Sequence, residues 1–267
     1  MIAKPLDQIT EADLTQFLNA GVAERKTLDY KQQLPDMNDA GKKELLADVS
    51  SFANTAGGDL VFGVSEVAGL PTAIPGVSIA DTDQLILRLD SIIRDGLSPR
   101  IRHTTRAVPL ANGNYVLIIR SERSWYGPHR LVFRGDSRFY GRTTNGKYEL
   151  DVTDLRNAFL FTNTVNEKIA GFRAERIIAL ETGRSLVPVA PGPKLVLHCM
   201  ALEAFAGQPQ HNVLALSIQP MYAARLSGYG MRVNFEGAIC IGSGSPTPAY
   251  TQVFRNGVIE AVRVGVP

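Results

Sequence analysis

The chain has 267 residues, of which 45% are hydrophobic and 20% are charged, and its formal net charge is +2. This composition is typical of a globular protein with a substantial core, and it excludes a disordered or fibrous chain. We find no signal-peptide pattern and no apolar run near the roughly 18 residues of a membrane span, so we expect a cytoplasmic protein with no membrane partner.

The small net charge conceals three segments of different charge. Residues 1–87 have 6 Lys/Arg against 13 Asp/Glu, residues 88–147 have 12 against 4, and residues 148–267 have 10 against 9. If the arginines of the middle segment share a face, that face attracts phosphate; if they are scattered over a solvated surface, they have no such role. The candidates for contact with a nucleic-acid backbone are Arg100, Arg102, Arg106, Arg130, Arg134, Arg138 and Arg142.

The N-terminal part alternates helical and strand patterns. Apolar residues at helical spacing predict a short helix that ends near Gly21, and alternation over residues 28–31 predicts a half-buried strand. A second helix, capped by Asp36 or Asp39, is predicted to end at Asn54. A glycine turn then leads into an apolar strand over residues 60–64.

The basic segment is predicted to complete a mixed α/β unit. We predict a helix from Asp81 or Thr82 to Gly96, followed by a hairpin with strands over 100–108 and 115–120 and a turn at Asn112-Gly113. Two short strands over 131–134 and 138–142 come next, and a helix over 152–161 follows them.

The C-terminal part is predicted to be strand-rich. A charged helix over 165–183 precedes predicted strands over 195–200, 213–218, 231–235 and a hairpin over 250–264 turned at Asn256-Gly257. We therefore predict an α/β (α+β) fold, with a mixed-sheet domain over 1–162, a linking helix over 163–185 and a smaller domain over 186–267 that could be truncated.

Three carboxylates stand at positions that two short elements could bring together. Glu24 precedes the first predicted strand, Asp29 lies within it, and Glu66 follows the apolar strand. Carboxylate oxygens suit Mg²⁺ or Mn²⁺, which polarise a phosphate and activate water, and Lys31 could stabilise the developing negative charge. The alternative is that these carboxylates only form surface salt bridges with neighbouring basic residues.

Two further motifs have both a functional and a structural interpretation. Asn54, Thr55, Gly57 and Gly58 could hold a phosphate, including that of ATP, or could simply end the helix. Trp125 and Tyr126 could stack on an unpaired base, or could form a packed corner.

Glu24, Asp29 and Lys31, followed by FANTAGG and GVSE, resemble the motifs of the Schlafen AlbA-like domain, a family often described as DNA-binding. The resemblance covers roughly residues 10–160. It implies a metal-dependent endoribonuclease acting on RNA such as tRNA, with Glu24, Asp29 and Glu66 as the acidic set. Asp29 stands where glutamate is usual, and Glu66 where aspartate is usual.

Three hypotheses follow from the motifs and the resemblance. The first is a metal-dependent nuclease on RNA or tRNA, in a bacterial cytoplasm and with a role in phage defence. The second is a non-catalytic DNA- or RNA-binding regulator, and the third is an ATP-binding module. A homo-oligomer is compatible with each of them.

Overall fold

A computed structural model gives the fold of residues 1–206, 211–213 and 230–265, which fall into two compact units, 1–162 and 163–267. Helices and mixed sheets are combined, as the sequence predicted. No helix of these described ranges is both long and apolar enough to cross a bilayer.

The first unit contains three complete helices and ten strands. The helices are α1 (Glu11–Asn19), α2 (Asp39–Ala53) and α3 (Thr82–Gly96). The strands are β1 (Leu28–Lys31), β2 (Gly58–Phe62), β3 (Ser65–Val67), β4 (Leu70–Ala73), β5 (Leu97–Ser98), β6 (His103–Pro109), β7 (Tyr115–Ser121), β8 (Arg130–Leu131), β9 (Tyr140–Thr143) and β10 (Gly146–Glu149). Helix α4 (Val152–Glu181) begins in this unit and continues into the second.

The central sheet has the order β1-β2-β7-β6, with β1 and β2 parallel and the other pairs antiparallel. Alternating side chains of β2 and β7 point to opposite faces, so the sheet is buried on both sides. On one face Leu60 and Ile119 pack with α2 and α3. On the other face Val61 and Ile118 pack with the N-terminal segment that includes α1.

The N-cap of helix α2 lies between the two predicted caps. Its N-cap is Asn38, whose Oδ1 accepts from the amide of Gly41 (2.7 Å), and neither Asp36 nor Asp39 takes this role. Asp39 is already the first helical residue, so its side chain cannot cap the same turn.

Several other elements differ from the sequence prediction. The helices predicted over 152–161 and 165–183 are one continuous helix, because no glycine or proline interrupts the residues between them. The strand predicted over 131–134 is shorter and gives way to a 3₁₀ turn at Phe133–Gly135. The hairpin β3–β4 and strand β10 were not predicted, since each has three or four residues and little apolar alternation.

The second unit is built on a five-stranded antiparallel sheet with the order β11-β15-β14-β13-β12. Its elements are β11 (Lys194–Cys199), α5 (Glu203–Ala206), β12 (Gly230–Val233), β13 (Gly237–Ile241), β14 (Ala249–Phe254) and β15 (Ile259–Val264). The hairpin turned at Asn256-Gly257 is present as predicted. The strand predicted over 213–218 lies outside the described residues except for Val213.

Candidate functional site

The three predicted carboxylates meet where β1 lies beside the β3–β4 turn. The Glu24 amide donates to the carbonyl of Gly69 (2.7 Å), and Glu24 Oε1 accepts from the amide of Tyr30 (2.8 Å). Glu66 Oε2 accepts from the amide of Gly69 (2.5 Å), so one turn residue bonds both acidic residues. The Asp29 carboxyl lies within hydrogen-bonding reach of the Glu24 carboxyl.

Glu24 and Asp29 share one proton. Burial and the hydrogen bond to Asp29 raise the pKa of Glu24 to about 7, and the negative charges of Asp29 and Glu66 act in the same direction. Burial also acts to raise the pKa of Asp29, but the hydrogen bond from Glu24 and the charges of Arg142 and Lys31 outweigh it and lower that pKa. The proton therefore resides on Glu24, and Asp29 is ionised.

Arg142 is the main partner of Asp29. Its Nη2 lies 2.8 Å from Asp29 Oδ2, and its guanidinium stacks on the Phe52 ring at 4.4 Å. Arg142 is only 5% exposed. This residue was predicted to contact a nucleic-acid backbone from the surface, and the structure instead places it inside the domain, where it neutralises the acidic pair.

A fourth carboxylate, Asp48 on α2, was missed by the sequence analysis. Asp48 is 3% exposed, and its Oδ1 lies 2.8 Å from Lys147 Nζ and 3.8 Å from Arg142 Nη1. Glu44, one helical turn earlier, also pairs with Lys147. The available signal was a lone aspartate within the buried run of residues 45–53, because an unpaired buried charge is too costly to persist.

Lys31 connects the two acidic groups of the site. Its Nζ lies 3.4 Å from Asp29 Oδ2. Burial acts to lower the pKa of Lys31, but the charges of Asp48 and Asp29 outweigh it and raise that pKa. Lys31 therefore stays protonated beside the Glu24–Asp29 pair, with part of its side chain exposed to solvent.

The predicted acidic set does not fit a metal ion as it is placed. Asp29 Oδ2 is already paired with Arg142 and Lys31, and Glu66 Oε2 bonds the backbone of its own hairpin turn. Within residues 1–206, 211–213 and 230–265, no group of three His, Cys, Asp or Glu side chains is arranged to hold a metal. The site is therefore a network of ion pairs around one shared proton.

Asn54 and Thr55, predicted to contact phosphate, join the end of α2 to the rest of the domain. The Asn54 amide group donates to the carbonyls of His129 (3.0 Å) and Tyr140 (2.9 Å), and its Oδ1 accepts from the amide of His129 (2.6 Å). Thr55 Oγ1 accepts from the amide of Arg142 (3.0 Å). These contacts hold β9, and with it the Arg142 side chain, against the helix.

The Gly57-Gly58 turn is a helix ending. Gly57 has φ +70° and its amide donates to the carbonyl of Phe52 (2.8 Å). A Cβ on Gly57 would lie 2.7 Å from the amide nitrogen of Arg123, so a larger residue would collide with the backbone. Gly58 is buried at the start of β2. The backbone of this turn is thus used inside the fold, which favours the structural interpretation over phosphate or ATP contact.

The predicted arginines other than Arg142 fall into two groups. Arg100, Arg102 and Arg130 are exposed, and none of them forms a salt bridge with a residue that the structure describes. They lie on neighbouring segments, because Arg130 of β8 pairs with Ser98 of β5, two residues before Arg100. The carbonyl of Arg102 accepts from the amide of Glu122, which follows β7.

The remaining predicted arginines have protein partners. Arg134 is exposed and pairs with Asp39 at 3.3 Å, and Arg138 is exposed and pairs with Asp136 at 2.5 Å. Arg106 is half-buried and donates to the carbonyl of Leu6. Only part of the predicted arginine set is therefore available to a ligand without breaking an ion pair.

Comparison with known proteins identifies one matching family model and several similar solved structures. Residues 24–151 match the family model described as Schlafen, AlbA_2. Among solved structures, the chain is similar to the DIP2311 protein from Corynebacterium diphtheriae, with 18% identity and a TM-score of 0.37 over 56% of this chain and 28% of that one. A RecG-related N-terminal domain from Nitrosomonas europaea shows 20% identity and a TM-score of 0.33 over 44% of this chain and 75% of that one. No curated protein matches the chain.

Proposed function

Since residues 24–151 belong to the Schlafen AlbA_2 family, as their motifs predicted, we propose that this chain binds nucleic acid through its N-terminal unit, with RNA as the preferred partner. The observation that carries the proposal is the group of three exposed arginines, Arg100, Arg102 and Arg130, which pair with no described acidic side chain. The preference for RNA, including tRNA, rests on the resemblance to Schlafen-type members.

Binding by these arginines is mainly a contact with phosphates. Guanidinium groups neutralise the backbone and release condensed counterions, so affinity falls as salt concentration rises and depends little on base sequence. Their arrangement on β8 and on the segment between β5 and β6 gives a short basic surface and not a long groove. We therefore expect a small footprint with few phosphate contacts.

The proposal predicts that three neutral substitutions weaken binding together. In the variant Arg100→Gln, Arg102→Gln, Arg130→Gln, we expect the slope of log affinity against log salt to fall by about 2, since each single-strand phosphate contact contributes roughly 0.7. The measurement is fluorescence anisotropy with a labelled RNA at several salt concentrations. The matched control is Arg134→Gln with Arg138→Gln, which removes exposed charge that is already paired. An unchanged slope in the triple variant would contradict this role.

A second candidate function is cleavage of RNA phosphodiester bonds, and the Glu24–Asp29 pair favours it. A carboxyl group with a pKa of about 7 can donate or accept a proton at neutral pH, which is what general acid–base catalysis requires. Lys31 lies beside the pair and carries the positive charge that would offset a developing oxyanion. The family resemblance adds Mg²⁺ or Mn²⁺, but the carboxylates as they are placed do not form a site for such an ion.

The cleavage hypothesis predicts that both members of the pair are needed. We expect a labelled tRNA pool to be cut by the native chain and not by Glu24→Gln or Asp29→Asn, with the reaction run in Mg²⁺, Mn²⁺ or EDTA to determine any metal dependence. Glu122→Gln is the matched control, because Glu122 is an exposed acid outside the network. Equal cutting by the native chain and both variants would exclude the pair from catalysis. Binding without cutting would leave the regulator function and remove any role in phage defence that depends on cleavage.

A further inference from the structure

A cleft in the first unit lies between the loop that follows β7 and the start of α4. Its volume is about 230 Å³, and Asn54, Ser124, Pro128, Asn157 and Phe161 are among the residues that line it. Ligand pockets for drug-sized molecules measure about 300–1,000 Å³, so this cleft is suited to a smaller group.

Two residues that line the cleft, Arg123 and Phe161, pack with the ring of Trp125. The rings of Trp125 and Phe161 stack with centroids 5.8 Å apart. The Arg123 guanidinium lies over both, at 4.5 Å from the Trp125 centroid and 5.0 Å from the Phe161 centroid. Trp125 thus forms the packed corner that the sequence allowed. Tyr126 does not, since it is 76% exposed next to the cleft.

From these contacts we propose that the cleft binds one unpaired nucleobase of a single-stranded nucleic acid. This inference rests on the proposed nucleic-acid binding, and it specifies that a base is the part of the ligand that lies inside the protein. A nucleobase has flat apolar faces that can stack on Phe161 and on the Arg123 plane, both of which line the cleft, and polar edges that need hydrogen-bond partners. An alkyl chain would not use the hydrogen-bonding groups of the Asn157 amide, and a small anion would not use the aromatic surface of the cleft.

The Asn157 amide group is the polar group placed to contact the base edge. Asn157 is exposed on the first turns of α4, and no hydrogen bond joins its side chain to a residue within the described ranges. The Asn54 side chain, by contrast, is already fully bonded to the backbone of β9 and the loop before β8. An amide has both donor and acceptor atoms, so Asn157 can bond any of the bases and would impose only a modest preference.

The exposed arginines lie close to the cleft, where they can contact the phosphates on either side of a bound base. Arg123 immediately follows Glu122, whose amide bonds the carbonyl of Arg102, and Arg130 is only two residues from the cleft residue Pro128. When a base lies in the cleft, the sugar-phosphate backbone of that nucleotide therefore lies next to the basic surface of Arg100, Arg102 and Arg130. A fully paired duplex has no base to insert and would make only the phosphate contacts.

The test compares two strands of equal length and charge. Anisotropy is measured for a single-stranded oligouridine and for an otherwise identical strand in which every nucleotide is abasic. We expect the native chain to bind the oligouridine about tenfold more tightly, in line with the stacking of one base. Phe161→Leu, Asn157→Ala and the cleft-filling Ala158→Trp should each reduce this ratio, with folding of each variant verified by circular dichroism. Phe235→Ala is the matched control, because Phe235 is a 95% exposed aromatic residue of the second unit.

The outcomes separate this inference from the function on which it depends. Equal, salt-sensitive binding of both strands would overturn the base cleft and leave the arginine contacts standing. A base-dependent ratio that persists in all three cleft variants would place the base elsewhere and would also overturn the inference. Failure to bind either strand would overturn the proposed function itself.

Discussion

The pair Glu24–Asp29 shows how individual residues set the properties of the site. Asp29 is ionised and buried, and such a charge is tolerated only because Arg142 and Lys31 lie within ion-pair distance. Glu24 lies half-buried beside it and cannot also ionise without repulsion, so it keeps its proton up to about pH 7. The neutral acid is thus a consequence of the neighbouring charge and of burial together.

This explanation predicts a pH-dependent gain of stability in Glu24→Gln. Glutamine keeps an oxygen for the Tyr30 amide and can donate to Asp29, but it does not ionise. The folded-state pKa of Glu24 is raised from 4.5 to about 7, so its contribution to stability is complete below pH 4.5 and is lost as pH rises through 7. At pH 8 the variant should therefore be more stable than the native chain, by roughly 1 kcal/mol after allowance for the exposure of this carboxyl.

The measurement is urea unfolding at pH 8 and pH 4.5, followed by the fluorescence of Trp125, the single tryptophan of the chain. Because Trp125 lies in the first unit, its signal reports the unit that contains the site. The difference between variant and native chain should vanish at pH 4.5, and Glu122→Gln should show no difference at either pH. A variant that is less stable than the native chain at pH 8 would mean that folding does not raise the pKa of Glu24.

At the scale of elements, the sequence predicted those helices, turns and hairpins that are encoded by residues close together in the chain. The apolar spacing of α2, the glycine turn after it and the Asn112-Gly113 hairpin were predictable, because each is encoded within about 15 residues. The cap Asn38 was not predicted, since Asp36 and Asp39 are equally good capping residues. The continuous helix α4 was predicted as two separate helices. Element types were thus more predictable than their ends.

The site was predictable only in part, because ion pairs join elements that are far apart in sequence. The resemblance to the Schlafen AlbA-like motifs identified Glu24, Asp29, Glu66 and Lys31. Their spacing did not connect this set to Arg142 or to the buried Asp48. Strand β9 carries Arg142 to Asp29 through the hydrogen bonds that Asn54 and Thr55 make. That connection depends on tertiary packing, which no local pattern encodes.

At the scale of the whole molecule, the opposite charges of residues 1–87 and 88–147 are largely used within one unit. Acidic residues of the first segment pair with basic residues of the second, and these pairs include Asp29–Arg142, Asp39–Arg134, Asp48–Lys147 and Asp59–Arg120. The basic segment is therefore less available to a ligand than its net charge suggests. The exposed arginines that form no salt bridge include the small arginine surface beside the cleft, which is consistent with recognition of a short single strand.

The second unit has a charged network of its own, which leads to a prediction about how the chain unfolds. Glu260 is fully buried and is held by Arg176 (2.9 and 3.0 Å), Tyr250 Oη (2.7 Å) and His198 Nε2 (2.8 Å). Arg176→Ala would leave this carboxylate without its main counter-charge, so we expect a loss of about 3–5 kcal/mol in the unit that contains it. The core clusters of the first unit contain no residue of this network.

The two units should therefore respond differently to Arg176→Ala. Thermal unfolding followed by circular dichroism should show a transition moved to lower temperature, while the transition followed by Trp125 fluorescence stays where it is in the native chain. Arg173→Ala is the matched control, because Arg173 is an exposed arginine on the same helix, and it should leave both transitions unchanged. If the Trp125 transition moves with the other, the two cores unfold cooperatively. In that case the Glu260 network also supports the nucleic-acid-binding unit, and its loss should lower RNA affinity as the temperature rises.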